Sequence, residues 1–178
     1  MMNMIDANTA KRGAVYYLGL VELVESRLAV SFRYPYVVRG LQAAWQWVEG
    51  HDISGAALAD LVWDENDDGI APSMSIDRNE ALFPVWRCVI MAVCYASLAA
   101  SLSEGKATNE IREDVNGVDS QANQDQFSED FLTMVPLQGL FEFYEAALNA
   151  TASGNITRSS VRDCAFEALH EAGVTIDA

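Results

Sequence analysis

One stretch constrains the fold of this chain more than any other. Residues 88 to 102 read CVIMAVCYASLAASL, with Arg87 before them and Glu104 after. The run carries no charge. It is short for a membrane span and is interrupted by Tyr95, Ser97 and Ser101. A helix that is apolar on every side has to be enclosed by other elements. The run is therefore expected as the central buried helix of a bundle, with no membrane association.

The flanking sequence supplies the partners for such a helix. Apolar residues recur at three- and four-residue spacing almost throughout, which argues helix. A first helix is expected over residues 12 to 31, with Val15, Leu18, Val21, Leu23, Val24 and Leu28 on its core side. Proline suits a first helical turn, so a second helix should begin near Pro35. At about 100° per residue, Val37, Val38, Leu41, Ala44, Trp45 and Val48 share one stripe of that helix. Trp45 then points into the core. Trp47 falls off the stripe, beside Gly40 and Ala43, and is either packed against a neighbour or displayed at the flank. Gly50 should close the helix.

Ser54 is placed to cap a short third helix, Gly55 to Trp63. Asp77 and Glu80 have capping-box spacing and should open the long helix that ends near Ser103. Pro84 either kinks that helix or delays its start to Phe83. Residues 104 to 126 are polar and read as a long loop, with one helical turn around Asn109 to Val115. A helix pair or kinked helix should follow from Ser128 to Ala150, split near Pro136 and Gly139. Ser153, Gly154 and Asn155 form a turn, and a last helix runs from Ser159 to Ala172 before Gly173. No repeat and no strand signal is present. The expected fold is all-α: one domain over residues 1–178, an irregular bundle of about five to seven helices around a long buried central one.

Charge narrows the partners. The chain has 26 acidic residues against 11 basic ones, a net charge of −15. Such a surface repels nucleic acid and anionic lipid and attracts basic proteins; the other reading is that many soluble proteins are simply acidic, with no partner selected by charge. The N-terminal apolar run, Ala14 to Val21, is short and has no evident cleavage site, so no secretion signal is expected. Three cysteines, an odd number, argue against a disulfide framework and for reduced thiols in the cytoplasm.

Catalytic chemistry finds little support. His51 and His170 are the two histidines, and no metalloprotease, nucleophile-elbow, paired-cysteine or P-loop pattern occurs. A carboxylate-bridged di-metal bundle needs two Glu-x-x-His copies, and only Glu167 with His170 matches. Glu142 with Glu145, and Asp163 with Glu167, have the spacing of a solvated helix face. No catalytic residue, cofactor or metal is assigned, and the chain is read as a binding protein. The aromatics Trp45, Trp63, Trp86, Phe83, Phe141 and Phe143 are expected in the core. Periodicity leaves Tyr16, Tyr17, Tyr34 and Tyr36 unplaced.

The binding signal lies between Trp45 and Gly69. A helix ends in Trp45-x-Trp47-x-Glu49, and a short helix leads to the loop Asp64-Glu65-Asn66-Asp67-Asp68-Gly69. Asp64, Asn66, Asp68 and Gly69 match positions one, three, five and six of an EF-hand. Position twelve, which should be glutamate, is Ser75, and Pro72 and Met74 fit poorly. Three readings stay open for the loop: a solvated turn, a docking surface for a cationic partner, and a calcium site. The expected partner-binding residues are Trp47, Glu49, Asp64, Glu65, Asp67 and Asp68.

The same segment resembles a known family. Trp45-x-Trp47-x-Glu49, Ile53-Ser54-Gly55, Leu58, Leu61 and the acidic loop are similar to the all-helical immunity proteins of bacterial polymorphic toxin systems, family six. Weaker echoes are Ala92 with Tyr95, and Asn109-Glu110-Ile111 to Val118-Asp119. The resemblance covers about two thirds of the chain. It implies a cytoplasmic protein that binds and neutralises a cognate toxin domain. Charge points to a basic toxin such as a nuclease, whose cleft an acidic surface can occlude. The alternative is a helical adaptor, or a calcium-responsive binding protein, using the loop of residues 64 to 69.

Overall fold

The computed structural model describes residues 7–64, 66–135, 139–152, 154 and 156–174. Among these there are eight α-helices and no strand. In chain order they are α1 (Ala7–Val21), α2 (Tyr34–Val48), α3 (Gly55–Val62), α4 (Ile70–Asp77), α5 (Phe83–Ser103), α6 (Gln121–Met134), α7 (Leu140–Thr151) and α8 (Arg158–Glu171). Short 3-10 turns cover Glu25–Val30, Glu80–Leu82 and Thr108–Glu110.

The apolar run becomes the axis of the molecule. Every residue of α5 from Met91 to Ser101 is buried. α1, α2, α3, α4 and α6 all pack on it, and α7 and α8 join through α1. The segment Glu80–Ser103 is long and apolar enough to cross a membrane by composition alone, yet 67% of its apolar window is enclosed by the fold. Small residues set how closely neighbours approach. A Cβ on Gly55 would stand 2.6 Å from the Ser97 carbonyl oxygen, so only glycine lets α3 rest on the α5 backbone. The contact is polar as well as close. Ser97 Oγ donates to the Gly55 carbonyl at 2.6 Å, and the Gly55 amide donates to Glu104 at 2.7 Å.

Pro84 sits in the first turn of α5, so the long helix begins at Phe83 without a kink. The Ser54 hydroxyl caps α3 by accepting from the Ala57 amide, and Gly50 follows α2 with φ +96°. Gly173, with φ +78°, follows α8. The break between α6 and α7 falls where expected, with Gly139 at φ +101°. Pro136 lies outside the described residues, as do Ser153 and Asn155 of the expected turn.

Four expectations need correction. The first helix stops at Val21, and its continuation tightens into the 3-10 turn Glu25–Val30. Leu23, Val24 and Leu28 stay buried in either form, so three-residue spacing could not tell them apart. Asp77 and Glu80 do not open the long helix. Asp77 ends α4, a helix to which sequence periodicity assigns no element, and its carboxylate accepts from the Trp86 indole at 3.1 Å. Pro72 in the first turn of α4 and the absence of an apolar stripe hid that helix. α6 begins at Gln121, inside the expected loop, because its first two turns face solvent and carry no periodic apolar signal. Finally, Trp63, Phe143 and Val38 are at least one-third exposed rather than core. α4 covers the Gly40 side of α2, and that turns the buried face of the helix away from Val38.

Candidate partner-binding surface

The five expected binding residues that are described do not form one surface. Trp47 is 9% exposed, with the Lys11 ammonium 5.5 Å from its ring centre. It is packed rather than displayed. Glu49, exposed just beyond the end of α2, accepts from the Arg158 backbone amide at 3.0 Å and so ties α2 to the start of α8. The acidic loop lies at the other end of α2. Roughly 20 Å, at 1.5 Å per residue, separates Tyr36 from Glu49. Glu65 lies outside the described residues.

At that other end the loop meets Tyr36, which periodicity leaves unplaced, together with Arg33 and Arg39, to which sequence reasoning gives no binding role. Arg33 donates to the Asp67 carbonyl at 3.2 Å, and Arg39 donates to the Asp68 carbonyl at 2.7 Å. The Tyr36 hydroxyl donates to the Asp68 carboxylate at 2.9 Å. Asp64 accepts from the Asn66 amide at 2.7 Å, and Asp67 takes a left-handed φ of +61°. Both arginines thus grip main-chain oxygens, and the Asp68 carboxylate meets a neutral phenol. Their guanidinium carbons stand 4.9 Å and 5.2 Å from the Tyr36 ring centre, a stack of two cations on one tyrosine. The loop is a braced acidic rim. Two of the oxygens that an EF-hand would aim at calcium are already hydrogen-bonded, and no three His, Cys, Asp or Glu side chains converge among the described residues.

Beside the rim stands an apolar knob. Val30 is 80% exposed and Phe32 is 71% exposed, well above the other exposed large hydrophobics of the described chain. They are not on a loose loop. Leu28 beneath them is fully buried, and Ser31 donates its amide to the Leu28 carbonyl at 2.8 Å. The Ser31 hydroxyl accepts from the Arg33 amide at 3.1 Å. Arg27 donates to the Met134 carbonyl at 3.0 Å, and the Tyr34 hydroxyl donates to Glu25. Burial and the Glu25 carboxylate push the Tyr34 hydroxyl up to about 12, so it stays protonated and donates at neutral pH. Arg33 lies between this knob and Tyr36, 5.7 Å from the Phe32 ring centre, and its Nε is enclosed without an acceptor.

The arrangement has the chemistry of a protein-docking surface. Exposed apolar side chains held on a rigid turn lose little entropy on binding. Phenylalanine, tyrosine and arginine are the side chains enriched at interface centres. The signal was present in the sequence as Val30, Phe32, Arg33, Tyr36 and Arg39. Val30, read as the end of the first helix, and Phe32, between the two expected helices, had no distinguishing position.

The family model described as Immunity protein Imm6 matches residues 12–134, more than half of the chain, and spans the knob, the start of α2 and the acidic loop. No curated protein and no solved structure matches the chain. With most of the bundle core and the whole of this surface inside the matched segment, the chain belongs to the Imm6 immunity protein family.

Proposed function

We propose that this protein neutralises a cognate toxin domain in the cytoplasm by docking the surface at the start of α2 onto it. The family match carries the immunity role. The exposed Val30–Phe32 knob beside a braced acidic rim supports the choice of surface. Phe32 and Val30 fill an apolar recess of the toxin, and Asp64, Asp67 and Asp68 face its basic groups. With a net charge of −15 the chain attracts a basic toxin over a distance, and paired charges at the rim speed association. A nuclease cleft, built to hold phosphate, is the partner that charge favours. Trp47 and Glu49 serve this surface at a distance, by fixing α2 against α1 and α8. The protein acts by occupancy and performs no reaction of its own.

Growth rescue tests the role. The C-terminal domain of the protein that the neighbouring upstream gene encodes is expressed with and without this chain, and growth is followed. Restored growth is expected, and toxicity that persists despite soluble immunity protein removes the pairing. The variant with Asp64, Asp67 and Asp68 all changed to Lys should bind that domain at least roughly tenfold more weakly, chiefly through a slower association rate at low salt. Unchanged kinetics would move the electrostatic contact off the loop.

A further inference from the structure

A second feature lies away from that surface. A groove of about 620 Å³ opens between α1, α6 and α7, with part of its floor supplied by α5. The floor is aromatic. Tyr17 from α1 and Tyr95 from α5 have ring centres 4.8 Å apart, Tyr16 and Tyr17 are 5.2 Å apart edge to face, and Phe141 of α7 stands 6.2 Å from Tyr16. Tyr95 reaches this floor because α1 has a glycine there. A Cβ on Gly13 would stand 2.6 Å from the Tyr95 ring.

The rim is acidic. Asp125 of α6 and Glu145 of α7 line the groove, and both are exposed. Asp125 is oriented by Gln121, which donates to it at 2.7 Å. Burial raises the Tyr16 hydroxyl pKa, with further contributions from Tyr17 and the nearby Glu145 carboxylate. The groove's own cation, Arg12, is turned to α7 and donates to the Asn149 side-chain oxygen.

Tyrosine faces below and carboxylates above form the environment that a flat cation prefers. A guanidinium stacks on a ring while its edge pairs with a carboxylate, which a compact ammonium does less well. An apolar side chain would use the floor and leave both carboxylates idle. We propose that this groove receives an arginine side chain presented by a protein partner, with the half-buried Tyr16 as its stacking wall above the buried Tyr17–Tyr95 pair, and Asp125 and Glu145 as counter-charges. The acidic surface of the whole chain favours approach of such a partner. The site is independent of the surface at the start of α2, and the inference does not rest on the toxin reading.

The probe is the tripeptide acetyl-Gly-Arg-Gly-amide, titrated into the full chain and followed by the NMR signals of the tyrosine rings. The control replaces arginine by citrulline, which has the same shape and no charge. Saturable shifts at Tyr16, Tyr17 and Tyr95 are expected, with the citrulline peptide roughly tenfold weaker. Asp125→Asn and Glu145→Gln should each weaken arginine binding roughly two- to fivefold. Both positions are exposed, so an unchanged melting temperature will confirm that each variant is folded. Absence of saturable shifts overturns the proposal, as does equal binding of citrulline or indifference to both variants. Growth rescue reads the immunity role separately. A chain that rescues growth but ignores the peptide loses the groove proposal alone, and a chain that binds the peptide but fails to rescue keeps it.

Discussion

Truncating Phe32 to alanine is the sharpest perturbation of the proposed docking surface. A phenylalanine side chain buries roughly 150–250 Å² when fully covered. Phe32 is 71% exposed in the free protein, so roughly 100–180 Å² remains for a partner to cover. At about 25 cal/mol per Å² the upper bound is about 2.5–4.5 kcal/mol. Alanine keeps the Cβ, and the ring's contact with Arg33 is already made in the free state, so about 2–3 kcal/mol is expected, or roughly 30- to 150-fold in Kd. The fold should not notice, because an exposed ring contributes within about 0.5 kcal/mol of stability. Titration calorimetry with the toxin domain measures the first quantity and urea unfolding the second. Phe143→Ala is the control, since Phe143 is 48% exposed on α7 and belongs to neither proposed site. Binding of Phe32→Ala within threefold of the wild type would refute the reasoning. So would an equal loss in Phe143→Ala, which would mean that general stickiness was being measured.

Three further outcomes follow from the fold. Gly55→Ala forces a Cβ to 2.6 Å from the Ser97 carbonyl, where backbone has to move, and should cost about 1–3 kcal/mol in urea unfolding; a neutral result would mean that α3 does not rest on α5 as closely as described. Glu104 has its pKa lowered from 4.5, chiefly by the hydrogen bond from Lys106 and also by the Gly55 amide. The unfolded carboxyl binds its proton more readily than the folded one, so this stabilisation is complete above pH 4.5 and is lost as pH falls through the folded pKa. Glu104→Gln should therefore flatten part of the decline in melting temperature below that pH, and an unchanged acid limb would remove the assignment. Burial pushes the Cys94 thiol up to about 12 and raises Cys88 further, so both should resist a disulfide reagent at neutral pH until the chain unfolds; rapid labelling of either in the native protein contradicts the packing of α5.

Local signals were legible where a residue's role depends on its neighbours in sequence. Ser54 announces α3 because a hydroxyl at that position satisfies an amide three residues on. Gly50 and Gly173 mark helix ends because their φ values suit glycine and few other residues. The same reasoning failed at Asp77 and Glu80. Their spacing was right for a cap, but the Asp77 carboxylate is used by Trp86, nine residues away across a chain reversal. At Trp47 periodicity gave the direction of the side chain but not whether anything stood there, and the fold packs it into the core with Lys11 over its ring.

The sequence by itself determined that the chain is helical, that residues 88 to 102 are its axis, and that it carries a net charge of −15. These follow from period, length and charge, which need no knowledge of what touches what. Only the tertiary structure decided the surfaces. Phe32 projects because Leu28, Ser31, Arg27 and Tyr34 hold its turn from several directions. The acidic loop is braced because the start of α2 lies beside it. The tyrosine groove draws its walls from α1, α5, α6 and α7, so no window of sequence contains it. A helix buries the face that its neighbours happen to cover. Which neighbours those are is fixed by packing over the whole bundle, where each long-range contact depends on all the others.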